Sequence, residues 1–324
     1  MPDHNATTLR YTAFSTDPAG GNPAGVVLDA THLTDSDMLA IAQDLGYSET
    51  AFLTAPPDGL GEPGRTYTVR YFSPRAEVPF CGHATVATAV ALADGIGPDR
   101  IGPGGNGPNH AGPDGNEPGD LVFATRAGTV PVTVTRTPDG TLHATLTSVE
   151  PHVTDVSDAD VKEALAALDW PAADLDPALP PRIAFAGARH LVLAAATRAR
   201  LADLAYDFDR LETLMRRLDL TTLQLVWRES ADVFHVRDPF PVGGVVEDPA
   251  TGAAAAAFGA YARELGVVPD AATLTLHQGA DMGRPGVLTV ELRAGDARVR
   301  VGGAGAHIPD ETGAGAGNTS TGAR

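Results

Sequence analysis

A chain of 324 residues, 43% of them hydrophobic, is long enough for two cores of ordinary size, so two domains are expected. A formal net charge of −18 argues against nucleic acid or an anionic membrane as partner, because both require clustered cations. Lys162 is the only lysine, so no Gly-rich turn carries one for a phosphate or a Schiff base; the single cysteine, Cys81, excludes an internal disulfide framework and an all-cysteine metal site.

The opening MPDHNATTLR lacks the basic and apolar regions of a secretory leader, and no apolar run reaches the roughly 18 residues of a membrane span. A soluble, cytoplasmic protein is expected. Period-2 or β-branched patterns predict strands at 9–15, 24–30, 49–55 and 67–73. Between them TDSDMLAIAQDLG (34–46) has a capping threonine, an acidic first turn, amphipathic spacing and a closing glycine, which predicts a helix. The Gly-, Pro- and Asn-dense stretch 95–120 reads as a mobile surface loop near a domain boundary. After it LVFATRA, VPVTVTRT and LHATLTSV predict consecutive strands, the last two turned by PDG. Residues 157–168 form a capped helix, 182–196 two strands about a glycine turn, and 201–218 one helix. Five more strands follow in LQLVWRE, DVFHVRD, TLTLHQG, GVLTVELR and RVRVGG, and a disordered tail is expected over 309–324.

One pattern occurs twice. VRYFSPRAEVPFCGHATVATAVALA begins at Val69, and VRDPFPVGGVVEDPATGAAAAAFGAYA begins at Val236. Each reads as strand, loop, Glu-x-Pro-x-x-Gly and an Ala-rich helix apolar all round, so each helix belongs inside a domain. The expected architecture is α+β: two pseudo-symmetric domains, each a mixed curved sheet wrapped round a central apolar helix. The first is placed at 1–120, with the last strand near 299–308 returning to it, and the second at 121–298.

Both helices begin at a glycine, where unpaired N–H groups and the positive dipole end can hold a carboxylate. If the halves face each other, Gly82 and His83 form one wall of a cleft, with Gly252 and Ala253 the other. Each glycine alone also fits a plain role in tight helix–sheet packing. Glu49, directly after Ser48, His83 and Asp248 are the titratable groups brought to that cleft, a set able to move a proton between two carbons of a bound acid. Glu49 is the expected proton carrier, though alone it also reads as a capping or solvated residue. Asp248, beside a helix start, is expected to stay ionised.

The segments GGNPAGVV (20–27), YSETAFL (47–53), FCGHATVATA (80–89), EDPATGAAAAA (247–257) and HQGADMGRPG (277–286) come in the order seen in the PhzF-like (phenazine biosynthesis) isomerases, which the chain resembles over nearly its whole length. The resemblance implies the two-domain diaminopimelate epimerase fold. It also implies that Glu49 matches the proton-transferring glutamate, and that Gly82, His83, Asp248 and Gly252 match substrate-binding and assisting positions. Ser48 and Ala253 join the expected substrate-binding set. In epimerases of this fold each facing helix start carries a catalytic cysteine; Cys81 takes the first place and Ala250 is read at the second, so Cys81 is expected to be a relic or a packing residue. Ala253 replaces a small hydroxyl often found after ATG. The leading expectation is a cofactor-independent, metal-free isomerase that shifts a double bond in a small cyclic carboxylic acid, in a specialised metabolite pathway, with a homodimer left open. Two other readings stand beside it: an amino-acid epimerase or racemase, and a non-catalytic small-acid-binding protein of the same fold.

Overall fold

The computed structural model describes residues 6–62, 64–95 and 119–310. In chain order the first part of the molecule holds β1 (Leu9–Ala13), β2 (Asn22–Val27), α1 (Asp35–Leu45), β3 (Thr50–Thr54), β4 (Thr66–Phe72), the two-residue β5 (Glu77–Val78), α2 (Gly82–Asp94), β6 (Asp120–Thr125), β7 (Gly128–Arg136) and β8 (Leu142–Thr147). The second holds β9 (His152–Thr154), α3 (Asp158–Leu168), β10 (Arg182–Phe185), β11 (Arg189–Ala194), α4 (Arg198–Ala202), α5 (Phe208–Leu218), β12 (Thr222–Arg228), β13 (Val233–Pro239), the two-residue β14 (Glu247–Asp248), α6 (Gly252–Glu264), β15 (Ala272–Gln278), β16 (Gly286–Arg293) and β17 (Asp296–His307).

The duplication seen in the sequence is a duplication of topology. From β1 the neighbours run β2, β3, β4, β6, β7, β8 with pairings antiparallel, parallel, antiparallel, parallel, antiparallel, antiparallel. From β10 the neighbours run β11, β12, β13, β15, β16, β17 with the same succession. β17 belongs to both halves: its first part pairs with β16, its middle with β8, and residues 305–307 with β1. It thereby closes the first lobe into a ring around α2, leaving that lobe no free sheet edge in the ring. The strand expected near 299–308 falls in β17, which begins three residues earlier at Asp296 and ends at His307.

Each sheet buries its Ala-rich helix because the helix has no polar stripe to present to water. All of His83–Ala91 is buried in α2, and α6 is buried from Ala254 to Ala262. Alanines let the strands approach closely: Gly305 meets Val90 of α2, and Gly259 of α6 leaves room for Val290 and Val299, where an added Cβ would come within 2.6 Å and 3.1 Å. The outer faces are covered more conventionally, with α1 over Val27, Phe52 and Phe72, and α3 and α5 over Ile183, Leu191, Leu193, Leu223 and Leu225.

Two expectations are corrected. Residues 201–218 are not one helix: α4 ends at Ala202, and Asp207 caps a new helix by accepting from the Arg210 N–H. The strands of 120–147, assigned to the second half by the boundary at 120, pair with β4 and pack on α2, so they wrap the first helix. A composition shift marked that boundary, but pairing, which sequence composition does not report, decides membership. The loop expectation at 95–120 falls almost wholly outside the described residues, as does the tail from 311. Among the described residues no helix is long and apolar enough to cross a membrane.

Candidate active site

The two central helices start against each other. A Cβ placed on Gly82 would lie 3.8 Å from the Ala253 nitrogen and 3.9 Å from the Gly252 Cα. The other described α-helices are closed by a side chain: Thr34, Ser157, Thr197 and Asp207 each accept from the first turn. Cys81 and Thr251, at the cap positions of α2 and α6, form no such cap bond. The first intrahelical donors are Thr85 and Ala255. Two facing sets of helix-start N–H groups are therefore directed at one place, which is the geometry of an anion site.

Both helix starts are positioned by the same device. Arg70 of β4 grips Glu77 of β5 at 2.8 Å and 2.9 Å, and Arg237 of β13 grips Glu247 of β14 at 2.9 Å and 2.5 Å. A bidentate Arg–carboxylate pair has a fixed planar geometry, so each pins the short strand that feeds the helix. The second pair is the more buried, with 10% and 3% side-chain exposure.

On the first wall, His83 is buried in the opening turn of α2, and its ring collects three expected or nearby residues. Ser48 Oγ lies 3.2 Å and Glu49 Oε2 3.5 Å from Nε2, while Cys81 Sγ lies 3.3 Å from Nδ1. A tautomer protonated at Nε2 satisfies all three, donating toward Glu49 and Ser48 and accepting from the thiol at Nδ1. Ser48 and Glu49 reach this point because they precede β3, whose register against β2 is set beside the Gly25 N–H bond to the Glu49 carbonyl. Burial, with the Glu49 carboxylate next, pushes the Cys81 thiol well above the usual range, while the nearby Ala84 backbone acts the other way. The thiol is held protonated against the candidate base.

On the second wall, Asp248 is gripped by side chains. Asn22 Nδ2 donates to its Oδ1 at 3.0 Å and to the Ala250 carbonyl at 3.0 Å, and the Thr251 hydroxyl donates to its Oδ2 at 2.6 Å. Gln278 braces the turn, donating to the Asp248 carbonyl and accepting from the Thr251 N–H, both at 2.9 Å. The helix-start N–H groups do not hold the Asp248 carboxyl below the ordinary carboxylate value, as the argument from the helix start implied. Burial is the largest influence and pushes its carboxyl up to about 6, with the Glu49 charge adding to the rise and His83, Thr251 and Asn22 opposing it.

The counterpart of Cys81 is also corrected. In the repeated Glu-x-Pro-x-x-Gly register, and at the cap position in the fold, Thr251 rather than Ala250 is its equivalent. Ala250 is fully buried and offers its carbonyl to Asn22. The inference of a single thiol stands, now with a hydroxyl at the equivalent position. Gly82, His83, Gly252, Ala253, Ser48, Glu49 and Asp248 all lie on the two walls. Asn22, Thr251 and Gln278 are additions to the expected set; each stands in a segment that carried the family resemblance, and a polar residue between glycines and apolar strands was the available signal.

Ligand atoms of Glu49, Cys81 and His83 lie within 4.8 Å of one another, a spacing that a divalent ion could bridge. The burial that holds the Cys81 thiol protonated works against that use, since metals take the thiolate.

The chain is similar to known proteins over nearly its whole length. The family model described as phenazine biosynthesis-like protein (PhzC-PhzF) matches residues 11–310. A protein of Deinococcus radiodurans named an uncharacterized isomerase is 32% identical over 302 residues, covering 91% of each chain. The crystal structure of a Bacillus anthracis phenazine biosynthesis protein of the PhzF family is similar with a TM-score of 0.76 at 24% identity, over 94% of this chain and 98% of that one. A probable proline racemase from Agrobacterium radiobacter shares the fold, with a TM-score of 0.59 at 13% identity over 92% and 89% of the two chains.

Proposed function

The chain belongs to the phenazine biosynthesis-like (PhzC-PhzF) family and is an isomerase, and from that premise we propose that it moves a proton, and with it a double bond, within a small cyclic carboxylic acid, without a cofactor, in a specialised metabolite pathway. One observation carries the reading: a carboxylate with a histidine at 3.5 Å faces two opposed helix starts that no side chain caps. In the proposed cycle the acid group of the substrate lies between Gly82–His83 and Gly252–Ala253. Glu49 takes the proton from the carbon beside the double bond, the charge spreads into the conjugated carboxyl group toward those N–H donors, and the same side chain returns the proton at the far allylic carbon. The double bond shifts by one position and no atom is gained or lost. His83 and Ser48 orient Glu49, and Asp248 faces it from the second wall.

The epimerase alternative needs an acid and a base on opposite faces of one carbon. Thr251, the equivalent of Cys81, does not supply a second thiol, which favours the single-carboxylate isomerisation. The test is a panel of unsaturated cyclic acids incubated in deuterated water and followed by NMR. Deuterium incorporation together with double-bond migration, lost in Glu49→Gln, is the expected result. Exchange with inversion and no migration would replace the proposal by the epimerase, and exchange that survives Glu49→Gln would remove Glu49 from the chemistry.

A further inference from the structure

The mechanism makes no use of the most deeply buried acid beside the site. Asp238, the penultimate residue of β13, is fully buried and stands directly opposite Asp248 in the β13–β14 pair. Directly opposed residues project to the same face with Cβ atoms about 4.5–5.5 Å apart, and two like charges there repel. The repeat provides an internal control. At the same register of β4 and β5 the first lobe pairs Tyr71 with Val78, so the fold needs no acid pair at this position.

Asp238 is tied into the second lobe by a directed string. His190 Nδ1 lies 2.8 Å from Thr222 Oγ1, and the Thr222 hydroxyl donates to Asp238 Oδ1 at 3.1 Å, so the imidazole is the donor in the first link. His190, Thr222 and Asp238 are all buried. Asp238 Oδ2 makes no hydrogen bond; the Thr251 hydroxyl lies close enough to influence the Asp238 carboxyl, but it donates to Asp248 at 2.6 Å and accepts from Gln278 Nε2 at 3.1 Å. The neighbouring cation, Arg237, is bound by Glu247. The groups facing the pair are Glu247 from β14, His190 from β11 through Thr222 of β12, Thr251 from the start of α6, and Glu49 and His83 from the first wall. A buried carboxylate oxygen with no donor is costly, whereas a carboxylic acid there has a proton to give to Thr251.

We propose that Asp238 is a neutral carboxylic acid at working pH and the positioning residue for Asp248: the string His190–Thr222–Asp238–Thr251 delivers one hydrogen bond to Asp248 while adding no second charge. Hydrogen bonds in such a chain polarise one another, so the string steadies the Asp248 carboxylate. Burial and the Asp248 charge push the Asp238 carboxyl well up, in accord with the geometry. The proposal rests on Asp248 being a site group, and not on which reaction the site performs.

The test needs no substrate. The full chain carrying 13C at its aspartate carboxyls is titrated by NMR, with the Asp238 resonance identified by its loss in Asp238→Asn. Asp238 is expected to keep the shift of a protonated acid through neutral and mildly alkaline pH. The Asp248 midpoint, near 6 in the parent protein, is expected to stay in place in Asp238→Asn, which preserves neutrality and polarity, and to rise in Asp238→Leu, which cuts the string. Titration of Asp238 with ordinary carboxyls would overturn the proposal. So would a fall of about one unit in the Asp248 midpoint in Asp238→Asn, the signature of a lost negative charge. Identical midpoints in the Asn and Leu variants would remove the positioning role, and if Asp238→Leu does not fold, the parent and Asp238→Asn titrations still decide the charge.

Discussion

Adding one methyl group at each of the two helix starts separates packing from anion binding. In Gly82→Ala the new Cβ meets nothing closer than 3.8 Å, and that nearest atom is the Ala253 nitrogen. The change therefore fits the fold, and removing glycine from a helix stabilises it by at most about 0.5–1 kcal/mol. The same methyl stands over one of the N–H donors expected to hold the substrate's acid group. Losing a hydrogen bond to a charged group costs about 1.5–3 kcal/mol, which is roughly a 10- to 150-fold loss of affinity. Gly252→Ala acts in the opposite way. Its Cβ comes to 3.3 Å from the Phe14 ring, which is fully buried and whose backbone, at φ 66°, is anchored to Ala304 and Val287. Phe14 has little freedom to retreat, so overpacking of about 1–3 kcal/mol is expected there. Thermal unfolding and NMR titration with benzoate as a non-reacting acid measure the two effects on each variant. Unchanged benzoate affinity in Gly82→Ala, with the fold intact, would refute the placement of the anion between the helix starts.

Glu49→Gln keeps the shape of the side chain and removes the base, so turnover in the deuterium assay should fall by roughly 10²–10⁴-fold with a much smaller change in substrate affinity. Cys81→Ala should retain a large share of activity, because the thiol is held protonated and the equivalent position of the second helix is Thr251 rather than a second thiol. Native Cys81 should react slowly with iodoacetamide at neutral pH and rapidly once the chain is unfolded, a difference that mass spectrometry reads directly. Asp248 should make the protein less stable as pH rises. Its folded value of about 6 lies above the ordinary 3.8, so the native state holds the extra proton between those values, and stability falls as pH climbs through that window. At neutral pH the cost is on the order of 3 kcal/mol. Asp248→Asn is accordingly expected to raise the unfolding temperature near neutrality, to lose that advantage below about pH 4, and to impair turnover; destabilisation at neutral pH would contradict the burial argument.

Local rules in the sequence were enough for the capped helices α1 and α3, since a capping hydroxyl, an acidic first turn and an amphipathic stripe all act within a few residues. The doubled Glu-x-Pro-x-x-Gly followed by an Ala-rich run was legible for a related reason. Such a run can be stable only when wrapped on every side, and its glycine start leaves donors open, so two central helices followed from composition and spacing, and a shared cleft on the condition that the halves face each other. Even the matching of Cys81 with Thr251 was present in that spacing. Other features depend on residues far apart in the chain meeting in space. β17 closes the first lobe against β1 and β8 through pairings no local pattern encodes, and the strands of 120–147 join α2 by pairing with β4. Asn22 reaches Asp248 from 226 positions away. The inward period-2 series Phe234, Val236, Asp238 marked an acid on a buried face, but only the β13–β14 pairing set it against Asp248. Ionisation behaves the same way: the helix-start argument used the nearest backbone and placed Asp248 low, whereas in the folded chain removal of water outweighs it, because desolvation depends on everything packed around the group and not on its neighbours in sequence.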